Sequence, residues 1–303
     1  MRHQIVSQLT YLARSLNEGW LRSVLLYSLA CLGYNPLMTL SSPTSIGLFD
    51  SGLGGLTVLR GMLRALPGHN YFYLGDNARF PYGTKGTETI VRYARECAHF
   101  LLSQEVGVLI VACNTASAAA LHVLENELSI PVIGTVGPAV RRALACSRSG
   151  NIGVLGTNAT VASGVYQHAI ATADATATVN AQACPLFVPL VEAGMLRGEI
   201  VDKVVELYLT PLKERGVDTV ILGCTHYPLL LESIQGFMGP EVSIVECSDA
   251  IAQDVVTLLG DNATPATAGS VNYFVTDEVG RFNFLASAFL EGQAVNAVRI
   301  DSF

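Results

Sequence analysis

No Cys-x-x-Cys pair occurs in the 303 residues, and no Gly-rich loop ends in the lysine of a phosphate-binding loop. The first absence, with no Cys/His ligand spacing, argues against structural zinc and thioredoxin-type redox chemistry. The second, with glycines that miss the dinucleotide fingerprint spacing, argues against nucleotide binding at Gly52-Leu53-Gly54-Gly55. Charge is scarce: 14% of residues are charged, with a net −7 and a pI of about 5.4, so the chain carries no nucleic-acid footprint. Low-complexity runs and charge blocks are absent. What is abundant is apolar residue, 50% of the chain, which suits a well-buried globular protein of about two domains.

Seven cysteines make an odd count in a chain too large to need staples. A reducing cytoplasm fits that usage, with most thiols acting as small core fillers. Residues 1–45 read apart from the rest. Ile5, Leu9, Leu12 and Leu16 follow a helical period, and 24–33 is almost wholly apolar. The greasy stretch starts late, has Arg22 beside it and lacks an Ala-x-Ala site, so a signal peptide fits poorly. It also falls short of the roughly 18 apolar residues of a membrane span. Two readings stay open: a helical extension packed on the first domain, or upstream translation with Met38 as the start.

From Ile46 the pattern becomes α/β. It predicts strands over 46–49 and 71–74, helices over 56–66 and 87–105, and a polar loop over 75–86. A strand follows over 130–136, closed by Gly137-Pro138, with a helix over 139–146. After Asn151 the arrangement restarts, with a strand over 152–155, a polar corner over 156–160 and a helix over 161–170. The tail predicts a strand over 271–275, a helix over 278–290 and a strand over 294–300. It is too small to stand alone and is expected to complete the first domain. The expected fold is two pseudo-symmetric, doubly wound α/β domains with mainly parallel sheets and the active site in the cleft between them. The expected boundaries are 46–139 plus 252–303 for the first and 140–251 for the second.

Two stretches carry the chemistry. Leu109-Ile110-Val111-Ala112 is an apolar, strand-length run that stops at Cys113, Asn114 and Thr115, and a helix-compatible run follows at once. Thr219-Val220-Ile221-Leu222-Gly223 delivers Cys224, Thr225 and His226 in the same way. Carboxyl ends of parallel strands are where α/β sheets bind ligands, and a thiol near a helix N-terminus ionises more easily. Ile46 precedes Cys113 by 67 positions and Ile152 precedes Cys224 by 72, which points to a weak internal duplication with one thiol per half. Two opposed thiols, with no metal or cofactor motif, can remove a proton from one face of a carbon and return one to the other. That inverts a stereocentre.

Other polar groups carry two readings each on residues alone. Asp50 and Ser51 sit at a strand end beside a glycine turn, where Asp50 either contacts an ammonium or thiol or caps the next helix. Asn114, Thr115 and Thr225 are helix caps, ligands or both. His226 is a structural histidine or a proton-transfer partner of Cys224. Glu192 reads as a helix-start acid, Pro81-Tyr82-Gly83 as a turn, and Asp76 and Arg79 as exposed loop residues. Cys31, Cys97, Cys146, Cys184 and Cys247 show no strand-end placement with polar followers and are read as inert.

Taken in order, Phe49-Asp50-Ser51-Gly52-Leu53-Gly54-Gly55-Leu56, Pro81-Tyr82-Gly83, Cys113-Asn114-Thr115-Ala116, Pro189-Leu190-Val191-Glu192 and Gly223-Cys224-Thr225-His226-Tyr227-Pro228 resemble the glutamate racemases of the aspartate/glutamate racemase superfamily over about residues 46–300. The resemblance implies cofactor-independent interconversion of L- and D-glutamate for peptidoglycan synthesis in a bacterial cytoplasm. By the same resemblance Cys224 takes the α-proton from L-glutamate and Cys113 from D-glutamate, assisted by His226 and Asp50 respectively. Asp50, Ser51, Asn114, Thr115, Thr225 and His226 bind substrate, Pro81, Tyr82 and Gly83 line the pocket, and Glu192 supports the second thiol. It admits a homodimer, and an N-terminal segment that binds a cell-wall nucleotide precursor as activator. Aspartate-type members resemble Cys-Thr-Glu where this chain has Cys224-Thr225-His226. An amino-acid-binding protein without chemistry would leave the paired thiols without a role, and a thiol hydrolase built on Cys224 and His226 would leave Cys113 without one.

Overall fold

A computed structural model describes residues 44–263 and 269–301. The extension expected over 1–45, with Cys31 and Met38, lies outside the described residues except for Thr44 and Ser45. Strand and helix alternate from β1 (Ser45–Asp50) through α1 (Leu56–Ala65) and β2 (Asn70–Gly75). Short 3-10 turns over Asn77–Arg79 and Tyr82–Thr84 lead to α2 (Thr87–Leu102), β3 (Val108–Val111), α3 (Asn114–Glu127), β4 (Val132–Ile133) and α4 (Val136–Cys146). The second run holds β5 (Asn151–Gly156), α5 (Asn158–Ala162), α6 (Val165–Ala173), β6 (Thr178–Ala183), α7 (Phe187–Glu192) and α8 (Glu199–Glu214). It continues with β7 (Thr219–Gly223), a 3-10 turn over Tyr227–Leu230, α9 (Leu231–Met238), β8 (Ser243–Val245) and α10 (Cys247–Leu259). Last come β9 (Val271–Val275), α11 (Val279–Phe289) and β10 (Val298–Arg299).

All pairings are parallel, in two sheets ordered β10-β9-β2-β1-β3-β4 and β6-β5-β7-β8. Without the two strands from the tail, the orders coincide: second, first, third, fourth. In each sheet the chain winds to one side of its first strand and then returns to the other. The reversal falls between β1 and β3, and between β5 and β7, where parallel sheets leave a crevice at their carboxyl ends. Phe49 pairs with Val111 and Leu155 with Leu222. Two residues past these pairs come Ser51 with Cys113 and Thr157 with Cys224.

β3 and β7 are buried along their whole length because helices cover both faces of a parallel sheet, which explains their unbroken apolar runs. Within the first sheet the faces alternate with period two. Ile46, Leu48, Val108 and Ile110 join a core continuous with Ile152, Val154 and Val220 of the second sheet, while Phe49, Leu109 and Val111 face Ala94, Leu101 and Ala120 on α2 and α3. Each such fully buried aliphatic side chain contributes roughly 1.5–3 kcal/mol. α10 packs on both α1 and α4 and so joins the two halves.

Several expectations need correcting. Gly137-Pro138 does not end a strand: β4 is only Val132–Ile133, and Pro138 sits in the first turn of α4, where its missing N–H is no loss. The helix expected over 161–170 is two, parted at Gly164, whose φ of 66° lies in the left-handed region. β6 and β8 had no expectation. The last strand is reduced to Val298–Arg299. Glu192 ends α7 instead of starting a helix, since the apolar run of Phe187 to Val191 is itself the helix. Asp76 is fully buried, because Tyr82, Arg79 and Thr276 converge on its carboxylate. Cys247 does follow a strand, opening α10 two residues after β8.

Candidate active site

Each thiol sits where its sequence run stops. Cys113 is itself the N-cap of α3, its backbone still extended (φ −78°, ψ 122°), and its sulfur accepts the Ala116 N–H at 3.5 Å. The cap is therefore the thiol, and Asn114 and Thr115 lie inside the helix. Cys113 also donates to Ser51 Oγ at 3.7 Å. Burial, and then the negative charge of Asp50, push its pKa up to about 12, against the pull of N–H and hydroxyl groups from Ala116 and Ser51. Burial likewise holds Cys224 well above the ordinary thiol range, opposed by the His226 N–H and reinforced by the charges of Cys113 and Asp50. The two thiols are thus close enough to feel each other.

Asp50 links the halves. Its Oδ2 accepts the Gly52 N–H at 3.0 Å, and its Oδ1 accepts the Thr225 hydroxyl at 3.5 Å. No side chain caps α1, whose N-cap is Gly55, so Asp50 is not a helix cap. Thr57 Oγ1 donates to the Thr225 carbonyl at 3.2 Å, a second tie between the corners. Gly54 permits this approach: a Cβ there would fall 2.2 Å from Thr225 Oγ1 and 2.5 Å from His226 Nδ1. His226 Nε2 donates to Glu192 Oε1 at 3.0 Å, which leaves Nδ1 turned toward Gly54. Phe80 and Phe289 flank its ring, at centroid distances of 6.0 and 5.6 Å. Arg281 reaches the other Glu192 oxygen at 3.5 Å.

On the opposite side, the hydroxyls of Thr115, Thr157 and Thr160 form a triangle with sides of 3.0–3.2 Å. Thr157 also caps α5, accepting the Thr160 N–H at 3.2 Å. Asn114 is buried, and its Oδ1 accepts from Thr135 and Tyr166, while its Nδ2 has no partner. Ser51 and Thr115 at the first thiol corner and Thr225 at the second are all buried. Of the 81–83 segment, Pro81 is exposed, and Gly83 lies so near Thr157 that an added Cβ would be 3.0 Å from the Thr157 Cβ. Tyr82 turns inward, its hydroxyl on Asp76 and its ring 5.6 Å from Tyr93. The phenol is thus taken up by Asp76, and it is Gly83 that approaches the threonine cluster.

The structure brings Cys113, Cys224, Asp50, Ser51, Asn114, Thr115, Thr225, His226 and Glu192 into one connected cluster. The sequence reading missed Thr157, Thr160 and Phe80. Thr157 had a signal, since Gly156-Thr157 in the second half corresponds to Asp50-Ser51 in the first. Among the described residues, no group of His, Cys, Asp and Glu is arranged to hold a metal ion, and no helix is long and apolar enough to cross a membrane.

The family model for Asp/Glu/hydantoin racemases matches residues 46–255. The glutamate racemase of Geobacter metallireducens is 46% identical over 252 residues, covering 82% of this chain and 93% of its own. Among solved structures, a glutamate racemase isoform of Bacillus anthracis superposes with a TM-score of 0.83 at 36% identity, over 86% of this chain and 98% of that one. The Francisella tularensis glutamate racemase, solved in complex with D-glutamate, gives a TM-score of 0.79 at 34% identity, over 85% and 97%. With paired strand-end thiols, matching sheet orders and these relatives, the chain belongs to the Asp/Glu/hydantoin racemase family, in its glutamate racemase group.

Proposed function

We propose that the chain interconverts L- and D-glutamate by two-base proton transfer at Cα, with Cys224 as the base for L-glutamate and Cys113 as the base for D-glutamate. The observation that carries this reading is the Thr225–Asp50 contact, which joins the two thiol corners across one buried carboxylate. In each turnover one cysteine acts as thiolate and the other as thiol. The thiolate takes the α-proton, the C–H electron pair stays on the carbon, and the opposite thiol delivers its proton to the other face. The cysteines end with their protonation states exchanged.

Burial favours two neutral thiols in the empty site. The α-ammonium of the substrate brings in the positive charge that favours one thiolate. Asp50 raises the basicity of Cys113, and His226, held by Glu192, serves Cys224 as proton carrier. The carbanion needs donors fixed before the reaction, because an amino-acid α-proton is very weakly acidic. Ser51, Asn114, Thr115 and Thr225, all buried and joined by Thr157 and Thr160, supply them, and burial limits the access of water. The substrate lies between a unit of 46–139 plus 252–303 and one of 140–251. The product supplies D-glutamate for peptidoglycan in the cytoplasm.

Incubation of the purified chain with either glutamate enantiomer in D₂O, without added cofactor, tests this. Deuterium at Cα together with the other enantiomer is the expected result. Exchange with aspartate but not with glutamate, or no exchange at all, would overturn it.

A further inference from the structure

Asn114 follows the first thiol, yet most of its contacts come from elsewhere in the fold. Its Oδ1 accepts from Thr135 Oγ1 at 2.9 Å and from Tyr166 OH at 2.5 Å, and Cys247 Sγ lies 3.8 Å away. Thr135 stands between β4 and α4, Tyr166 is on α6 of the second half, and Cys247 opens α10. Each is itself anchored. The Thr135 N–H binds Ser117 Oγ at 3.2 Å, and Ser117 in turn donates to the Val111 carbonyl at 2.9 Å. Cys247 donates to the Leu222 carbonyl at 3.4 Å, two residues before the second thiol, and lies 3.8 Å from Tyr166 OH. All four side chains are buried.

The contacts fix which way the amide faces. A separation of 2.5 Å suits O–H···O, whereas N–H···O bonds run about 2.7–3.2 Å, so the oxygen of Asn114 is the atom against Tyr166. A tyrosine hydroxyl is also a good donor, and here it has a single strong acceptor. The consequence is at the other end of the amide. Nδ2 is buried without any partner, one of few side-chain polar atoms so placed among the described residues. A buried N–H without an acceptor is unfavourable, and a donor kept in that state beside a thiol is one held for a ligand.

We propose that Tyr166 and Thr135, backed by Cys247, are positioning residues that lock the Asn114 amide with its two N–H bonds presented to a carboxylate of the substrate. The inference rests on the reading of this site as a glutamate site. It assigns roles to residues outside the motifs that mark the family. It also makes the aim of a first-half ligand depend on a hydroxyl from the second half, so that the donor is in place only when the halves are docked.

A double-mutant cycle tests it, with racemisation followed in both directions. Tyr166→Phe removes the hydroxyl and keeps the ring. It is expected to raise KM for both enantiomers about tenfold, the loss of one well-placed hydrogen bond, with kcat changed by less than about threefold. In an Asn114→Ala background the same substitution is expected to change KM by less than about twofold. A tyrosine that merely supports the fold would cost the same factor in both backgrounds, and that result, or no effect of Tyr166→Phe on KM, would overturn the proposal. Thr135→Val, which takes a different donor from the same oxygen, provides a second cycle if Tyr166→Phe fails to fold. A wild-type chain inert toward glutamate would overturn the reading of the site itself, whereas an additive cycle in an active enzyme would remove only this inference.

Discussion

The two thiol corners occupy the same place in matching sheets and differ in what the chain does next. After Cys113 it enters a long helix at once, so the sulfur caps α3 and collects the Ala116 N–H along with contacts from Ser51. After Cys224 it makes the 3-10 turn over Tyr227–Leu230 before α9, and the main N–H within reach is that of His226. The auxiliary groups differ too. Asp50 is packed between the corners with no solvent contact, whereas the His226–Glu192 pair leads outward to Arg281, whose side chain is 61% exposed. A repeated topology therefore places both sulfurs, and local backbone donors then set how easily each gives up its proton. A protein that must run one reaction in two directions holds equivalent positions with inequivalent chemistry.

The comparison breaks most simply at the sulfurs. Cys113→Ser and Cys224→Ser each keep the shape and raise the pKa of the reacting group far above that of a thiol. Each is expected to lower racemisation by about 10³-fold or more, the upper part of the range for a removed acid–base group. The assay is the change in optical rotation with either enantiomer as starting material. Loss in one variant only would mean that one cysteine suffices and that the symmetry has no catalytic meaning.

A smaller effect sharpens the difference in acidity. The species that is alkylated is the thiolate, so with a pKa pushed up to about 12, carboxymethylation of Cys113 in the substrate-free enzyme should rise about tenfold per pH unit. Between pH 7 and 9 that amounts to about 100-fold, with no bend near the free-thiol value of about 8.5. Cys224, with fewer donors, should be modified more slowly than Cys113 at each pH. Peptide mass spectrometry assigns the site. A plateau below pH 9 at Cys113 would show that its donors outweigh burial.

How much of this was legible in the sequence depends on where the partners lie. β3 with Cys113 and β7 with Cys224 stood out because a strand buried on both faces reads as an unbroken apolar run with a polar stop. β6 is a half-exposed edge reading Thr-Val-Asn-Ala-Gln-Ala, whose polar/apolar alternation is faint because two of its three apolar residues are alanine. β8 has three residues, too few to signal that Cys247 stands at a strand end. The burial of Asp76 was illegible because Thr276 arrives from the tail 200 residues later. Thr157 lay in a corner that was read correctly as polar. Its kinship with Ser51 is visible in the matched runs 46–51 and 152–157, and the strand register adds that each stands across from a thiol.

The smallest effect is also the most discriminating. Glutamate enantiomers have equal free energies, so kcat/KM in the two directions must stay equal in every variant, and that ratio cannot reveal which auxiliary serves which thiol. The primary isotope effect of α-deuterated substrate can, since it reports how far one proton abstraction limits one direction. Asp50→Asn removes a charge that lifts Cys113, and should raise the isotope effect with D-glutamate while leaving that with L-glutamate near its wild-type value. His226→Gln should do the reverse, since in the proposed reaction the ring that Glu192 holds carries protons for Cys224 and an amide cannot. Asp50 also receives the Thr225 hydroxyl, so its loss has a route to the second corner. Equal rises for both enantiomers in Asp50→Asn would mean that this contact, and not proximity to Cys113, governs its role. The carboxylate would then belong to both corners, and the asymmetry would rest on His226 and Glu192 alone.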